Sequence, residues 1–227
     1  GEGLLNNGFL SYSAMGRAIQ ALKVCSEKLK SFDVKKLRII ATEACRRAKN
    51  HDEFFTQIKN KTGLKIELVS SNEEARLALR GTQNLLNPAQ PYALILDIGG
   101  GSTEIIWAKR GIEYFDIVDV LSLPLGVVTV AEEWKIQKTN NNNYQRTVFD
   151  ITQKLPNFCK HNNIRQKMKE NKVQMLGTSG TVTTLGTIHL KLDYYDRSLI
   201  DGLYLTFKDL SNATKKLTEQ DYKSRSQ

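Results

Sequence analysis

Asp97-Ile98-Gly99-Gly100-Gly101-Ser102-Thr103-Glu104 is the stretch on which the reading of this chain turns. The apolar run from Tyr92 to Ile98 reads as a buried strand that carries Asp97 to its end. Three glycines then let the backbone enter φ > 0 conformations, and their amides can approach an oxyanion with no Cβ in the way. Ser102 and Thr103 add hydroxyls suited to phosphate oxygens. Asp97 and Glu104 repel phosphate, so their natural work beside it is through Mg2+ or a water molecule. The plain alternative is a glycine-rich hairpin turn with incidental carboxylates. The flanking Asp and Ser-Thr-Glu weigh against it.

Downstream, Glu104 to Ala108 and Glu113 to Leu123 read as two further strands around a turn at Gly111. Pro124 and Gly126 introduce a short helix to about Trp134. Asn140 to Asn143 reads as a solvated loop, followed by a helix to about Cys159. Val173 to Leu176 is then a buried strand running into Gly177-Thr178-Ser179-Gly180-Thr181, and a helix carrying Leu185, Ile188 and His189 begins there. A helix N-terminus fed by glycines and hydroxyls is a second candidate anion site. Ordinary N-capping by Thr178 or Ser179 explains the same residues.

Upstream, Met15, Ile19, Leu22, Cys25 and Leu29 place one apolar stripe on a helix from Ser11 to Lys30. A strand at Leu37 to Ala41, a helix from Glu43 to Lys61 closed by Gly63, and a strand at Leu64 to Leu68 follow. A helix from Ser71 runs towards Leu86 and stops before Pro88. The two halves look like one repeated α/β unit, the first lacking a three-strand meander that would precede Gly1. This predicts two lobes, 1–88 and 91–227, joined near Leu86 to Pro91, with a cleft between them.

Two more segments carry candidate chemistry. In Ser71-Asn72-Glu73-Glu74-Ala75-Arg76, the Ser71-x-x-Glu74 spacing matches a capping box. The functional reading makes Glu74 a base that activates water. In Ala41-Thr42-Glu43-Ala44-Cys45-Arg46-Arg47, a strand-to-helix junction offers Arg46 as a planar fork for phosphate, against the commoner fate of a surface arginine.

The bulk numbers narrow the partners rather than choose one. The net charge of +9 over 227 residues points to anions or to a lysine-rich solvated surface. No apolar run is long enough to span a bilayer, and no signal-peptide pattern opens the chain. Cys25, Cys45 and Cys159 fall in no metal-binding spacing and read as buried thiols in a reducing cytosol. His51, His161 and His189 form no ligand cluster.

Taken together, Ala41–Asn50, Ser70–Gly81, Asp97–Glu104, Ser122–Glu132 and Gly177–Leu190 resemble, in order, the exopolyphosphatase/guanosine pentaphosphate phosphohydrolase (Ppx/GppA phosphatase) family. The resemblance implies the α/β actin-like/Hsp70/sugar-kinase (ribonuclease H-like) superfold, with two lobes, a central cleft and an N-terminally truncated first lobe. It implies a bacterial, cytoplasmic, Mg2+-assisted hydrolase that removes terminal phosphate from polyphosphate or guanosine pentaphosphate, within alarmone metabolism and the stringent response. By motif position, Glu74 is the implied base and Arg46 the phosphate-contacting arginine. Asp97 and Glu104 are the implied metal and water ligands. The implied phosphate cradle is Gly99, Gly100, Gly101, Ser102 and Thr103 with Gly177, Thr178, Ser179, Gly180 and Thr181. Family members often form homodimers.

Departures accompany the match. The family's Asp-x-Gly-Ser-Asn-Ser-like first phosphate loop would lie before Gly1, and Ser70-Ser71 stands where Ser-Gly is typical. A chain without that loop is expected to hydrolyse poorly. The competing functions are a non-hydrolysing polyphosphate or alarmone sensor, a kinase of the same superfold, and a nucleic-acid module. No adenosine pocket is assignable from the sequence, and no aromatic-interleaved basic motif supports nucleic acid.

Overall fold

The computed structural model describes residues 4–133 and 141–219. The chain divides into two compact units, Gly1–Glu74 and Ala75–Gln227.

In the first unit, α1 (Leu4–Asn7) precedes α2 (Tyr12–Lys30), whose cap is the Ser11 hydroxyl accepting from Ala14 N at 3.1 Å. Met15 and Ile19 bury the α2 stripe. Strand β1 (Ile39–Ala41) leads into α3 (Glu43–Arg47) and α4 (His51–Thr62), and β2 (Ile66–Leu68) pairs parallel with β1. Phe54, Ile58 and Leu64 join the α2 residues in one core. Gly63 ends α4 with φ 73°, the left-handed C-cap expected of it.

The single helix expected from Glu43 to Lys61 is two. Ala48 leaves the helical region with ψ 124°. The Asn50 side chain then grips the Leu10 backbone from both sides, accepting from its N–H at 2.9 Å and donating to its carbonyl at 3.0 Å. Cys25 is also exposed, not buried, whereas Cys45 is buried and its thiol pKa is pushed up by desolvation.

Helix α5 (Ser71–Thr82) opens at the end of the first unit. Its later residues Ala75 and Leu79 are buried, together with Leu86, against Ala93, Ile95, Ile106 and Ala108. The contact division therefore falls within α5, at Glu74, and not at the expected linker.

The second unit is built on β3 (Tyr92–Ile98), β4 (Thr103–Arg110), β5 (Phe115–Leu123) and β6 (Val173–Thr178), in sheet order β5-β4-β3-β6. The first three form an antiparallel meander, and β6 joins β3 in parallel. Between β5 and β6 lie α6 (Val127–Glu133), α7 (Asn141–Thr152), α8 (Pro156–His161) and α9 (Ile164–Lys169). Helix α10 (Ser179–Leu190) follows β6, then α11 (Arg197–Ile200) and α12 (Phe207–Glu219). One sheet face packs on α5. The other buries Ile105, Trp107 and Leu123 with Phe158 and Ile164.

The expected loop at Asn140–Asn143 is corrected in part. Asn141 to Asn143 begin α7, while Asn140 and the expected helix end at Trp134 lie outside the described residues. The helix expected to reach Cys159 is broken ahead of Pro156, which opens α8 at its first position.

Candidate functional site

Strand register sets the geometry of the second unit's loop end. Asp97 lies opposite Glu104 on β4 and Thr178 on β6, and Glu104 lies opposite Ser122 on β5. Directly paired residues share a sheet face, so Ser122, Glu104, Asp97 and Thr178 form one polar row across four strands. Two positions inward on that face is the apolar row of Val120, Ile106, Ile95 and Leu176. The face thus turns from core to chemistry where β3 and β6 end. Glu104 is 1% exposed, and its Oε1 accepts the Ser122 hydroxyl at 2.9 Å.

The Gly99–Ser102 turn leaves this row. It is closed by Gly99 N–H donating to Ser102 O at 3.0 Å. Helix α6 donates into it from outside, through Val127 N to Gly99 O at 3.0 Å and Val128 N to Gly100 O at 2.9 Å. Among the described residues, no main-chain carbonyl takes the amides of Gly100, Gly101 or Ser102. The expectation of positive φ in this turn fails at Gly99 and Gly100. Close approach accounts instead for the glycine that packs on this turn, Gly126. A Cβ on Gly126 would run into the Gly100 carbonyl and lie 2.6 Å from Gly101 N. The Thr103 hydroxyl is committed as a donor to Leu125 O at 2.7 Å.

The second loop sits beside the first, because Thr178 pairs with Asp97. Thr178 caps α10 by position only, since its side chain makes no capping bond. The first amides of α10 are left without a side-chain cap, a favourable place for an anion. Ser179 holds φ 77°, a left-handed conformation costly for a side-chain-bearing residue. The Thr181 hydroxyl reaches Ile98 O at 3.4 Å, a weak stitch to the end of β3.

In the first unit, the structure joins Arg46 to Glu74. Arg46 Nη1 donates to Glu74 Oε2 at 2.8 Å and to Val69 O at 2.9 Å, while Nε donates to Glu43 Oε2 at 3.1 Å. Burial works to release the Arg46 proton, but the bonds to Glu74 and Glu43 outweigh it and hold the guanidinium charged. The capping-box reading of Ser71-x-x-Glu74 is corrected by one residue. The cap of α5 is the Ser70 hydroxyl, which accepts from Glu73 N at 3.2 Å, and Glu74 turns its carboxylate to Arg46 instead. Glu73 is gripped by Arg38 at 2.8 Å, so the adjacent carboxylates at this helix start each have their own arginine.

Sequence reasoning missed three contributors. Glu43 was visible as an i,i+3 partner of Arg46. Gly126 lay inside a matching segment, but its close approach is a tertiary fact. Ser122 is tied to Glu104 only through strand register. Among the described residues, no group of three or more His, Cys, Asp or Glu side chains is placed to hold a metal. The Asp97–Glu104 pair nonetheless fits Mg2+, which is commonly held by one or two carboxylates plus substrate phosphates and water. Among the described residues, no helix is long and apolar enough to cross a membrane.

The second unit is thus an α/β unit in which the parallel strands β3 and β6 end side by side, one in a glycine-rich turn and the other at a helix start. The model of the Ppx/GppA phosphatase family matches residues 1–226, and the chain belongs to that family. It is 28% identical to a bifunctional 3-dehydroquinate synthase/phosphatase of Fusobacterium nucleatum, over 93% of this chain and 31% of the relative. The chain therefore spans about a third of the length of that curated relative. Among solved structures, an Aquifex aeolicus Ppx/GppA family member is 27% identical with a TM-score of 0.75, covering 99% of this chain and 69% of that one. An exopolyphosphatase from Cytophaga hutchinsonii, at 23% identity and a TM-score of 0.84, covers 99% and 70% and shows the same fold. The α/β fold implied by the sequence motifs is the fold of this chain, shared with the Aquifex aeolicus family member.

Proposed function

We propose that this chain forms part of a phosphohydrolase that removes the terminal phosphate from inorganic polyphosphate or guanosine pentaphosphate. The observation that carries the reading is the Arg46–Glu74 pair, at 2.8 Å, in a member of this family. Glu74, released from capping duty, is the base that takes the proton of the attacking water. Arg46 neutralises phosphate charge. The amides of Gly100 to Ser102 and the start of α10 cradle phosphate oxygens, where the chemistry needs mainly positioning and fixed dipoles. Asp97 and Glu104 hold Mg2+, which supplies neutralisation of charge on the phosphoryl oxygens when bound.

The test is phosphate release, with Mg2+, from long-chain polyphosphate and from guanosine pentaphosphate, by the chain extended at its N-terminus to carry the first phosphate loop. Glu74→Ala lowers turnover about 10²- to 10⁴-fold, the usual worth of a positioned general base, with substrate binding kept. A Glu74→Ala protein that retains most of its turnover removes Glu74 from the mechanism. A second reading, a non-hydrolysing polyphosphate or alarmone sensor, is favoured by the engagement of Arg46 with two carboxylates and a carbonyl. Tight binding with no release by the unmutated chain, alone and extended at its N-terminus, would establish that reading instead.

A further inference from the structure

Arg46 lies between two carboxylates of its own unit, and only one of them enters the chemistry proposed above. Glu74 and the Val69 carbonyl take Nη1, while Glu43 takes the opposite edge formed by Nε and Nη2. That edge presents two parallel N–H bonds, the geometry that receives a carboxylate or phosphate through two oxygens. Glu43 meets it with one. Its Oε2 lies 3.1 Å from Nε and 3.0 Å from Nη2, and only the Nε contact is aligned as a hydrogen bond. Nη2 is buried and makes no hydrogen bond among the described residues. The edge is occupied in charge but half satisfied in hydrogen bonding.

The side chains of Glu43, Arg46 and Glu74 are 13%, 16% and 18% exposed, so solvent screens the cluster poorly. Two carboxylates around one guanidinium leave the trio with a formal negative charge. An arriving polyanion meets that charge first.

We infer that Glu43 is an internal anion on Arg46, occupying its Nε/Nη2 edge until a substrate phosphoryl group displaces it and thereby setting substrate affinity. The inference rests on the proposed reading, in which Arg46 meets phosphate. Two phosphoryl oxygens satisfy both N–H groups where Glu43 satisfies one, which drives the exchange. The displaced carboxylate stays close, because Glu43 and Arg46 share the short helix α3, and its repulsion weakens binding. Glu43 is thus a positioning residue that acts through Arg46. A purely structural i,i+3 pair would stabilise α3 and leave affinity unchanged.

The experiment measures binding of imidodiphosphate, an uncleavable phosphoanhydride analogue, with Mg2+ by calorimetry, beside KM and kcat for polyphosphate. Glu43→Gln keeps the shape and removes the charge. It binds imidodiphosphate roughly fivefold tighter or more, the effect of one charge at contact distance even in water. KM falls in step while kcat changes less, and adding Arg46→Gln erases the gain. Glu43→Ser, neutral and shorter, gives the same gain if the glutamine variant proves poorly folded. A folded Glu43→Gln protein with equal or weaker binding overturns the inference while leaving the proposed function standing. An unmutated chain that neither binds imidodiphosphate nor releases phosphate overturns both.

Discussion

Two neighbouring strand ends in the second unit, the Gly99–Ser102 turn after β3 and the Gly177–Gly180 segment where β6 passes directly into α10, use glycine differently. In the first, Gly99 and Gly100 stay out of the left-handed region, and a Cβ on them would meet only Ser102 O at 3.3 Å and Val128 Cγ2 at 3.5 Å. The close approach belongs to Gly126, packed against Gly100. Helix α6 and the turn before it press against the loop backbone, with Gly126 against Gly100. In the second, the left-handed position falls on Ser179 at φ 77°, while a Cβ on Gly180 would meet nothing within 4 Å. One loop is held by close packing of backbone on backbone, the other by a strained residue at a helix start. Both leave amide groups facing the same end of the sheet. The close approach therefore falls on the single Gly126 rather than on Gly99 or Gly100, and the torsional cost sits at Ser179, where no glycine advertises it.

The sharpest way to break this comparison is Gly126→Ala. The added methyl meets the Gly100 carbonyl and Gly101 N, atoms of the main chain that cannot swing aside as a side chain can. Either the α6 entry or the Gly99–Ser102 turn must move. Overpacking of this kind costs about 3 kcal/mol, near the top of its usual range. The expected outcome is a clearly lowered urea midpoint together with loss of imidodiphosphate binding. A variant with unchanged midpoint and binding would show that the loop is held by something other than this packing.

Gly177→Ala should be milder. Its methyl meets both methyls of Val182, Cγ1 at 2.7 Å and Cγ2 at 3.0 Å, a β-branched side chain stiff in χ1, so relief comes from a shift of the side chain with α10. The expected loss is about 1–2 kcal/mol. Val182→Ala placed on top should recover part of it, because the two changes share one contact and do not add. Strict additivity in the double variant would mean that Gly177 is required for its backbone rather than for its fit under α10.

These effects also mark what the sequence could tell. The β3-β4-β5 meander was legible because Tyr92–Leu96 is an unbroken apolar run and because glycines punctuate its turns. Helix α10 and the Gly63 cap were legible for similar local reasons. The break between α3 and α4 was not, since it depends on Asn50 bonding to Leu10, forty residues earlier in the chain. The cap of α5 was misplaced by one residue because Ser70 and Ser71 offer the same hydroxyl in succession, as do Glu73 and Glu74. Only the tertiary pull of Arg38 on Glu73 and of Arg46 on Glu74 separates them. Likewise the Arg46–Glu74 pair joins residues 28 apart, which no local period encodes. Helices α9, α11 and α12 went unread, being short or following a stretch with no clear periodicity.

The smallest effect should be Ser179→Gly, and its sign is the informative part. A left-handed conformation costs a side-chain-bearing residue about 1–3 kcal/mol, and glycine escapes that cost. Glycine also gains freedom in the unfolded chain, which takes back about 0.5–1 kcal/mol. At the low end of the strain range the balance predicts a variant more stable by up to about 0.5 kcal/mol, and more if the strain is larger, read as a raised urea midpoint with an unchanged slope. Activity should move the other way. The serine hydroxyl is lost and the start of α10 is free to sample other torsions, so amides poised for phosphate are less well fixed. Stability gained with phosphate binding weakened is the signature of strain kept for a site. Stability lost would place the strain energy of Ser179 below the entropy of glycine, and the second loop would then be held, like the first, mainly by packing.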